Sequence, residues 1–247
     1  FLHGALHDHS VWTLLARWWA HHGHGVLAPD LPGHGRSEGP ALASVPALAD
    51  WLLALLDAAG VAKAALVGHS MGSLIALEAA ARGGARISHL VMVGTAYPMK
   101  VSADLLATAL ERPLEAIDRV NAYSHASLAA KPSFPGPGMW LHGGNRVLMR
   151  RMQAQYARGH DGANLFHLDF SVCDGYDGGL AAAAAVATSG TCRSSLILGE
   201  RDQMTPPKAV RELVSTLQAP VHRVPCGHAL MQEAPDAVLR ATQAALG

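Results

Sequence analysis

The sequence predicts an α/β protein, a mostly parallel and doubly wound sheet interrupted by a helical insertion. Three observations lead to this class. Short apolar runs alternate with helical runs from Phe1 to Gly94; the alternation stops from about Ala96 to Thr191, where helical segments follow one another; and it resumes at Ser195. The 247 residues, 50% of them hydrophobic, suit one well-buried domain with an inserted subdomain. The sheet domain is assigned to residues 1–95 and 192–247, and a helical cap to 96–191.

Phe1-Leu2-His3-Gly4 reads as the end of a core strand, so a segment ahead of it is expected to have been removed. A helix over Ser10 to His22 follows, with Ser10 as N-cap and Val11, Leu14, Leu15 and Trp18 at helical spacing. Gly25 to Leu31 reads as a strand, and Pro32-Gly33-His34-Gly35-Arg36-Ser37 as a turn-rich loop. The helix near Val45 to Ala59 ends at Gly60. Ala64 to Val67 is a short buried strand, Met71 to Arg82 a helix burying Leu74, Ile75, Leu77 and Ala81, and His89 to Gly94 the next strand.

The insertion holds helices near Ser102 to Glu111, Pro113 to Ala122, Asn145 to Arg158 and Ala163 to Cys173, joined by breaker-rich connections such as Lys131 to Gly138. The alanine run Ala181 to Ala185 belongs to a helix returning to the core. Ser195 to Leu198 is a strand, and Thr205 caps a helix with Pro206 first and Val210, Leu213, Val214 and Leu217 on one face. Val221 to Val224 is the last strand, and the terminal helix starts at Pro235.

Nineteen basic residues balance nineteen acidic ones, which gives no electrostatic footprint for nucleic acid. No apolar stretch approaches the roughly 20 residues that span a bilayer. The three cysteines, Cys173, Cys192 and Cys226, form no paired framework, which points to a reducing, cytoplasmic setting. The expected partner is a small-molecule substrate, with neither nucleic acid nor membrane; the sequence does not specify an oligomeric state.

The chemistry enters at Gly68-His69-Ser70-Met71-Gly72, which matches the G-x-S-x-G nucleophile elbow and lies between a strand and a helix. A serine hydroxyl is a weak nucleophile unless it stands exposed beside a base, and a sharp strand-to-helix turn provides that exposure. The base must in turn be held by a carboxylate. In the order nucleophile, acid, histidine, Asp202 follows the strand ending near Leu198, and His228 follows the next strand in a Gly-His turn. One helix and one strand fit between them, so both side chains are expected at the same sheet edge as Ser70. Glu200, Asp30 and Asp174 are weaker rivals for the acid.

Of fifteen histidines, His21, His22 and His24 lack a supporting cysteine or carboxylate set, so no metal is expected. His7 and His9 read as loop residues near the pocket. The oxyanion hole is assigned to the backbone N–H of Met71 and to that of Ala5, with Leu6 as the second choice for the latter. A pocket lining is sought in Leu6, Met139, Trp140, Phe166 and Phe170, which also fit ordinary apolar packing. Arg146, Arg150 and Arg151 fit either a solvated helix face or a carboxylate contact. If the strands at Gly25 and Ala64 flank the first strand, the chain reverses direction beside Ser70, where open α/β sheets bind ligands.

Together Phe1-Leu2-His3-Gly4, Asp30 to Ser37, the elbow, Gly199 to Asp202 and Gly227-His228 resemble the α/β-hydrolase superfamily, in its single-domain capped branch. The resemblance implies a Ser70, Asp202 and His228 triad acting through an acyl-enzyme, with neither metal nor organic cofactor. It also implies two strands ahead of the first one here, so the sheet is expected to present an edge. Ser70 stands where the similar haloalkane dehalogenases and epoxide hydrolases carry aspartate, which disfavours those reactions. The elbow also lacks the Gly-Gly-Ser-Trp-Gly form of proline iminopeptidases. The leading expectation is hydrolysis of a small or medium, largely apolar carboxylic ester or lactone. Carbon-carbon bond hydrolysis and cofactor-free perhydrolysis on the same triad, or a ligand sensor of the same fold, are the alternatives.

Overall fold

A computed structural model describes residues 1–126 and 139–247, with the side chain of Met139 outside the description. Four parallel strands, β1 (Ala64–His69), β2 (Ile87–Val93), β3 (Arg193–Gly199) and β4 (Val221–Val224), lie side by side in chain order. Their side chains alternate between faces, as a pleated strand requires. Leu66, Leu90, Met92, Leu196 and Leu198 join one core cluster, whereas Val67, Val91, Val93, Ile197 and Val224 join another. Two buried faces account for the nearly continuous apolar character of these strands.

The first cluster is covered by α2 (Val45–Ala58), α3 (Met71–Gly83), α8 (Gly179–Ser189) and α9 (Arg211–Leu217). The second packs against α1 (Thr13–His21) and the terminal α11 (Pro235–Leu246). The helix α3 is buried on nearly every side, which suits its run of Ala and Gly. Among the described residues a third cluster lies between α4 (Ala103–Glu111), α5 (Pro113–Ser124), α6 (Met139–Gly159) and α7 (Leu165–Gly175). The helix α8 lies within the range assigned to the cap but packs on α3 and α9, beside the sheet. A single turn, α10 (Leu230–Glu233), precedes α11.

Four local expectations are corrected. Gly25 to Leu31 forms no ladder; it is tied to the first segment by the Phe1 amino group donating to Leu27 O at 2.8 Å and by the Leu31 N–H donating to His3 Nε2 at 2.9 Å. Phe1-Leu2 likewise joins the sheet through one bridge, Leu2 to Gly68, since a strand exists only where a partner runs alongside. The first helix is a 3₁₀ turn over His9–Trp12 followed by α1, capped by Asp8 and not by Ser10. Its buried face is Trp12, Leu15 and Trp19, while Leu14 is 63% exposed. Finally, α6 begins at Met139, ahead of the expected Asn145, because the Gly143-Gly144 pair does not interrupt it.

The register fixes what meets at the rim. His69 lies beside Val93, Val93 beside Ile197, and Gly199 beside Val224, so the segments leaving the C-terminal ends of β1, β3 and β4 emerge together. Those segments carry Ser70, Asp202 and His228. Among the described residues no helix is long and apolar enough to cross a membrane.

Candidate active site

Ser70 occupies the elbow with φ +52° and ψ −121°, a conformation that L-residues rarely adopt. Sterics explain the flanking glycines. A Cβ on Gly68 would fall on the carbonyl of Gly72, and one on Gly72 would lie 2.5 Å from the carbonyls of Leu2 and His3. The turn is further pinned by Ser70 N–H donating to Val93 O at 3.0 Å and by the Ser73 hydroxyl donating to Ser70 O at 2.5 Å.

The three expected partners meet. The Ser70 hydroxyl stands 3.1 Å from His228 Nε2, and His228 Nδ1 donates to Asp202 Oδ2 at 2.8 Å. Asp202 is completely enclosed at its side chain, with 0% exposure. Burial alone would raise its carboxyl. The facing His228, the Thr205 hydroxyl at 2.6 Å and the Thr205 amide at 2.8 Å outweigh that and hold it below the usual range. Thr205 is thereby corrected from helix cap to a buttress of Asp202, also 3.1 Å from His228 Nδ1. Its position three residues after the acid was visible in the sequence, but its contact was not. Glu233 fixes the histidine loop, its carboxylate accepting the N–H of Gly227 at 2.5 Å and of Ala126 at 2.7 Å.

At the putting-together of the oxyanion side, the N–H groups of Met71 and Ala5 find no acceptor among the described residues, whereas the Leu6 N–H is taken by Asp169 at 2.8 Å. Met71 opens α3, where the helix dipole favours an anion. His3 and His7 shape this loop: His3 Nδ1 donates to Gly4 O and His7 Nδ1 to Ala5 O, each at 2.8 Å. His3 and His69 are buried and His7 is half-buried, and desolvation first, then neighbouring histidines, pushes all three below the usual imidazole range.

Above Ser70 opens a cavity of about 300 Å³ whose apolar walls include Met99, Val101, Leu105, Val120, Met149 and Phe170. Of the expected lining, among the described side chains, only Phe170 borders it. Leu6 and Phe166 are fully buried in the third core cluster, Trp140 is 82% exposed, and the Met139 side chain lies outside the described residues. His7 borders the cavity with both ring nitrogens engaged, Nε2 standing 2.8 Å from the Asn145 carboxamide. His9 pairs with Asp30 at 2.7 Å, away from Ser70. Arg146 and Arg150 both bind Asp118, and Arg151 binds Asp8. Asp30 and Asp174 accept backbone amides, of His9 and Arg36 and of Val101 respectively, and Glu200 is exposed. The methionines and valines of the walls carried no signal in the sequence, since apolar residues in amphipathic helices look alike whether they face a core or a cavity.

A family model described as the alpha/beta hydrolase family matches residues 1–241. The chain belongs to this family. It is 35% identical over 100 residues to the lipase LipV of Mycobacterium tuberculosis, covering 40% of this chain and 37% of that protein. The curated relatives matched are spanned over only 20% to 50% of their own length. Among solved structures, a thermophilic esterase superposes with a TM-score of 0.77 at 23% identity, covering 98% of this chain and 86% of that one. The enol-lactonase of Burkholderia xenovorans gives 0.77 at 21% identity, covering 99% and 89%. At these identities the two structures speak for the hydrolase fold, and the α/β-hydrolase architecture expected from the sequence is the one observed.

Proposed function

We propose that this chain is a serine hydrolase that cleaves a small or medium, largely apolar carboxylic ester or lactone through an acyl-enzyme. The observation that carries the reading is the line from Asp202 to His228 to Ser70, at 2.8 Å and 3.1 Å, opening into an apolar cavity. Similarity to a lipase, with an esterase and a lactonase among the structural neighbours, supports an ester or lactone substrate.

Ser70 Oγ attacks the carbonyl carbon as its proton passes to His228 Nε2, and Asp202, held ionised, stabilises the imidazolium. The carbonyl oxygen becomes an oxyanion that accepts the N–H groups of Met71 and Ala5. Each such donor is worth about 10²–10³ in kcat. The tetrahedral species collapses, and the leaving alkoxide takes the proton from His228. Water, deprotonated by His228, then attacks the acyl-Ser70 bond; the acid departs and Ser70 recovers its proton. In this reading α4 to α7 act as a cap whose apolar walls take the acyl chain, and a cavity near 300 Å³ suits a small ligand.

The test is labelling with a fluorophosphonate. The wild type is expected to be labelled and Ser70→Ala to resist, with wild-type turnover of short acyl esters. Labelling that persists in the variant would remove Ser70 from its role, and labelling without ester turnover would redirect the search to other acyl compounds.

A further inference from the structure

We propose that Asp169 is a positioning residue that, locked by His34, aims the Ala5 N–H at the oxyanion, so that α7 preorganises the site it also roofs. This rests on the serine-hydrolase reading above. The loop after Leu2 runs through two peptide groups that are fixed at their polar ends. In the first, Gly4 O accepts from His3 Nδ1 at 2.8 Å and from the His7 N–H at 3.3 Å, so the opposite end, the Ala5 N–H, is turned away from these donors. In the second, Ala5 O accepts from His7 Nδ1 at 2.8 Å, while the Leu6 N–H donates to Asp169 Oδ2 at 2.8 Å.

Leu6 pays for this with a φ of +55°, a left-handed conformation that costs a branched side chain energy unless its surroundings enforce it. The Asp169 contact is the polar restraint at that residue. Asp169 is itself anchored, because the same oxygen accepts from His34 Nε2 at 2.9 Å and both side chains are nearly sealed, at 2% and 3% exposure. His34 Nδ1 stands 3.1 Å from Pro32 O, so both ring nitrogens face acceptors, as an imidazolium requires. Burial would lower His34, but the Asp169 carboxylate overrides it and raises the imidazole. A buried carboxylate that is paired and doubly hydrogen-bonded holds its geometry tightly, and the oxyanion loop inherits that rigidity. The three parts come from distant stretches: the first loop, the turn at 32–37, and a helix more than 130 residues later.

The test compares Asp169→Ala with Asp169→Asn, whose carboxamide oxygen can still accept the Leu6 N–H. Asp169→Ala is expected to lower kcat on a short ester by about 10- to 100-fold with KM within about twofold, less than the loss of a whole oxyanion donor. The inhibition constant of a trifluoromethyl ketone, which forms a charged tetrahedral adduct, should rise in parallel, and Asp169→Asn should recover most of the loss. An unchanged kcat in a folded Asp169→Ala protein, a change confined to KM, or equal losses in both variants would overturn the role. Should Asp169→Ala not fold, the wild type still decides by amide exchange. The Ala5 N–H should exchange fast in the free protein and slow in the ketone adduct, while the Leu6 N–H stays slow in both. An Ala5 amide indifferent to the adduct would overturn the proposal. Fluorophosphonate labelling run alongside separates the two readings: a labelled wild type with these negative results removes Asp169 alone, and an unlabelled one removes the hydrolase.

Discussion

Ser70 sits where an L-residue is strained, at φ +52°, and such conformations cost about 1–3 kcal/mol. The strain lifts the hydroxyl clear of β1 and toward His228. Glycine adopts this backbone without the Cβ penalty, which reverses the usual preference for alanine over glycine inside ordered structure. Ser70→Gly is therefore expected to be more stable than Ser70→Ala by about 1 kcal/mol, read as the difference in urea unfolding free energy. Equal stabilities, or a more stable alanine variant, would show that the elbow is relaxed. At this scale Gly68, Ser70, Gly72, Asp202 and His228 were legible because their positions relative to strand ends dictate their meeting. Thr205 and Asp169 were not, because each is one polar residue in a helical or turn context until the fold turns Thr205 onto Asp202 and His228 and brings Asp169 to Leu6, 163 residues away.

At the scale of elements, α7 places Phe170 against the cavity and stacks it on Phe166, with ring centres 4.4 Å apart. Phe170→Ala is expected to enlarge the acyl site and shift the preferred ester chain to longer acids, measured as kcat/KM across a chain-length series. It should cost about 3 kcal/mol of stability through the lost aromatic packing. An unchanged chain-length profile would place the acyl group elsewhere. Most helices could be read from periodicity because each buries a face fixed by its own sequence, and the strands β1 to β4 from short apolar runs, because both of their faces are buried. The Gly25 to Leu31 segment could not, because a ladder depends on its neighbour, and the extended Phe1-Leu2 stretch offers it one contact. The face of the first helical run was misread by one position, Trp12 and Trp19 being buried in place of Val11 and Trp18, because apolar residues stand side by side at Val11-Trp12, Leu14-Leu15 and Trp18-Trp19 and offer two neighbouring faces.

The whole molecule concentrates buried titratable groups around one rim, and their signs set its response to acid. His3 and His69 are lowered by burial, so below about pH 6.5 the unfolded chain binds protons that the folded one refuses. Their contribution is complete above that pH and is lost as pH falls from it. Asp202 is held low, so its contribution disappears only below about pH 4. His34 is raised and acts in the opposite sense: its contribution is complete below about pH 6.5 and is lost on the alkaline side. Between pH 7.5 and 5.0 three lowered histidines, His3, His7 and His69, act against the raised His34. The melting temperature is expected to fall over this range, each lost kcal/mol lowering it by about 2–4 °C. A melting temperature unchanged or higher at pH 5.0 would mean that these imidazoles titrate freely.

The central step of the proposed chemistry is covalent acylation of the Ser70 hydroxyl. Rapid quenching of the protein with p-nitrophenyl acetate in acid, followed by mass spectrometry of its peptides, tests this directly. The predicted result is an acetyl group on the peptide containing Ser70, formed in a burst ahead of steady turnover and missing from Ser70→Ala. Steady ester turnover with Ser70 unmodified, or an acetyl group that accumulates at another residue on the catalytic time scale, would contradict it.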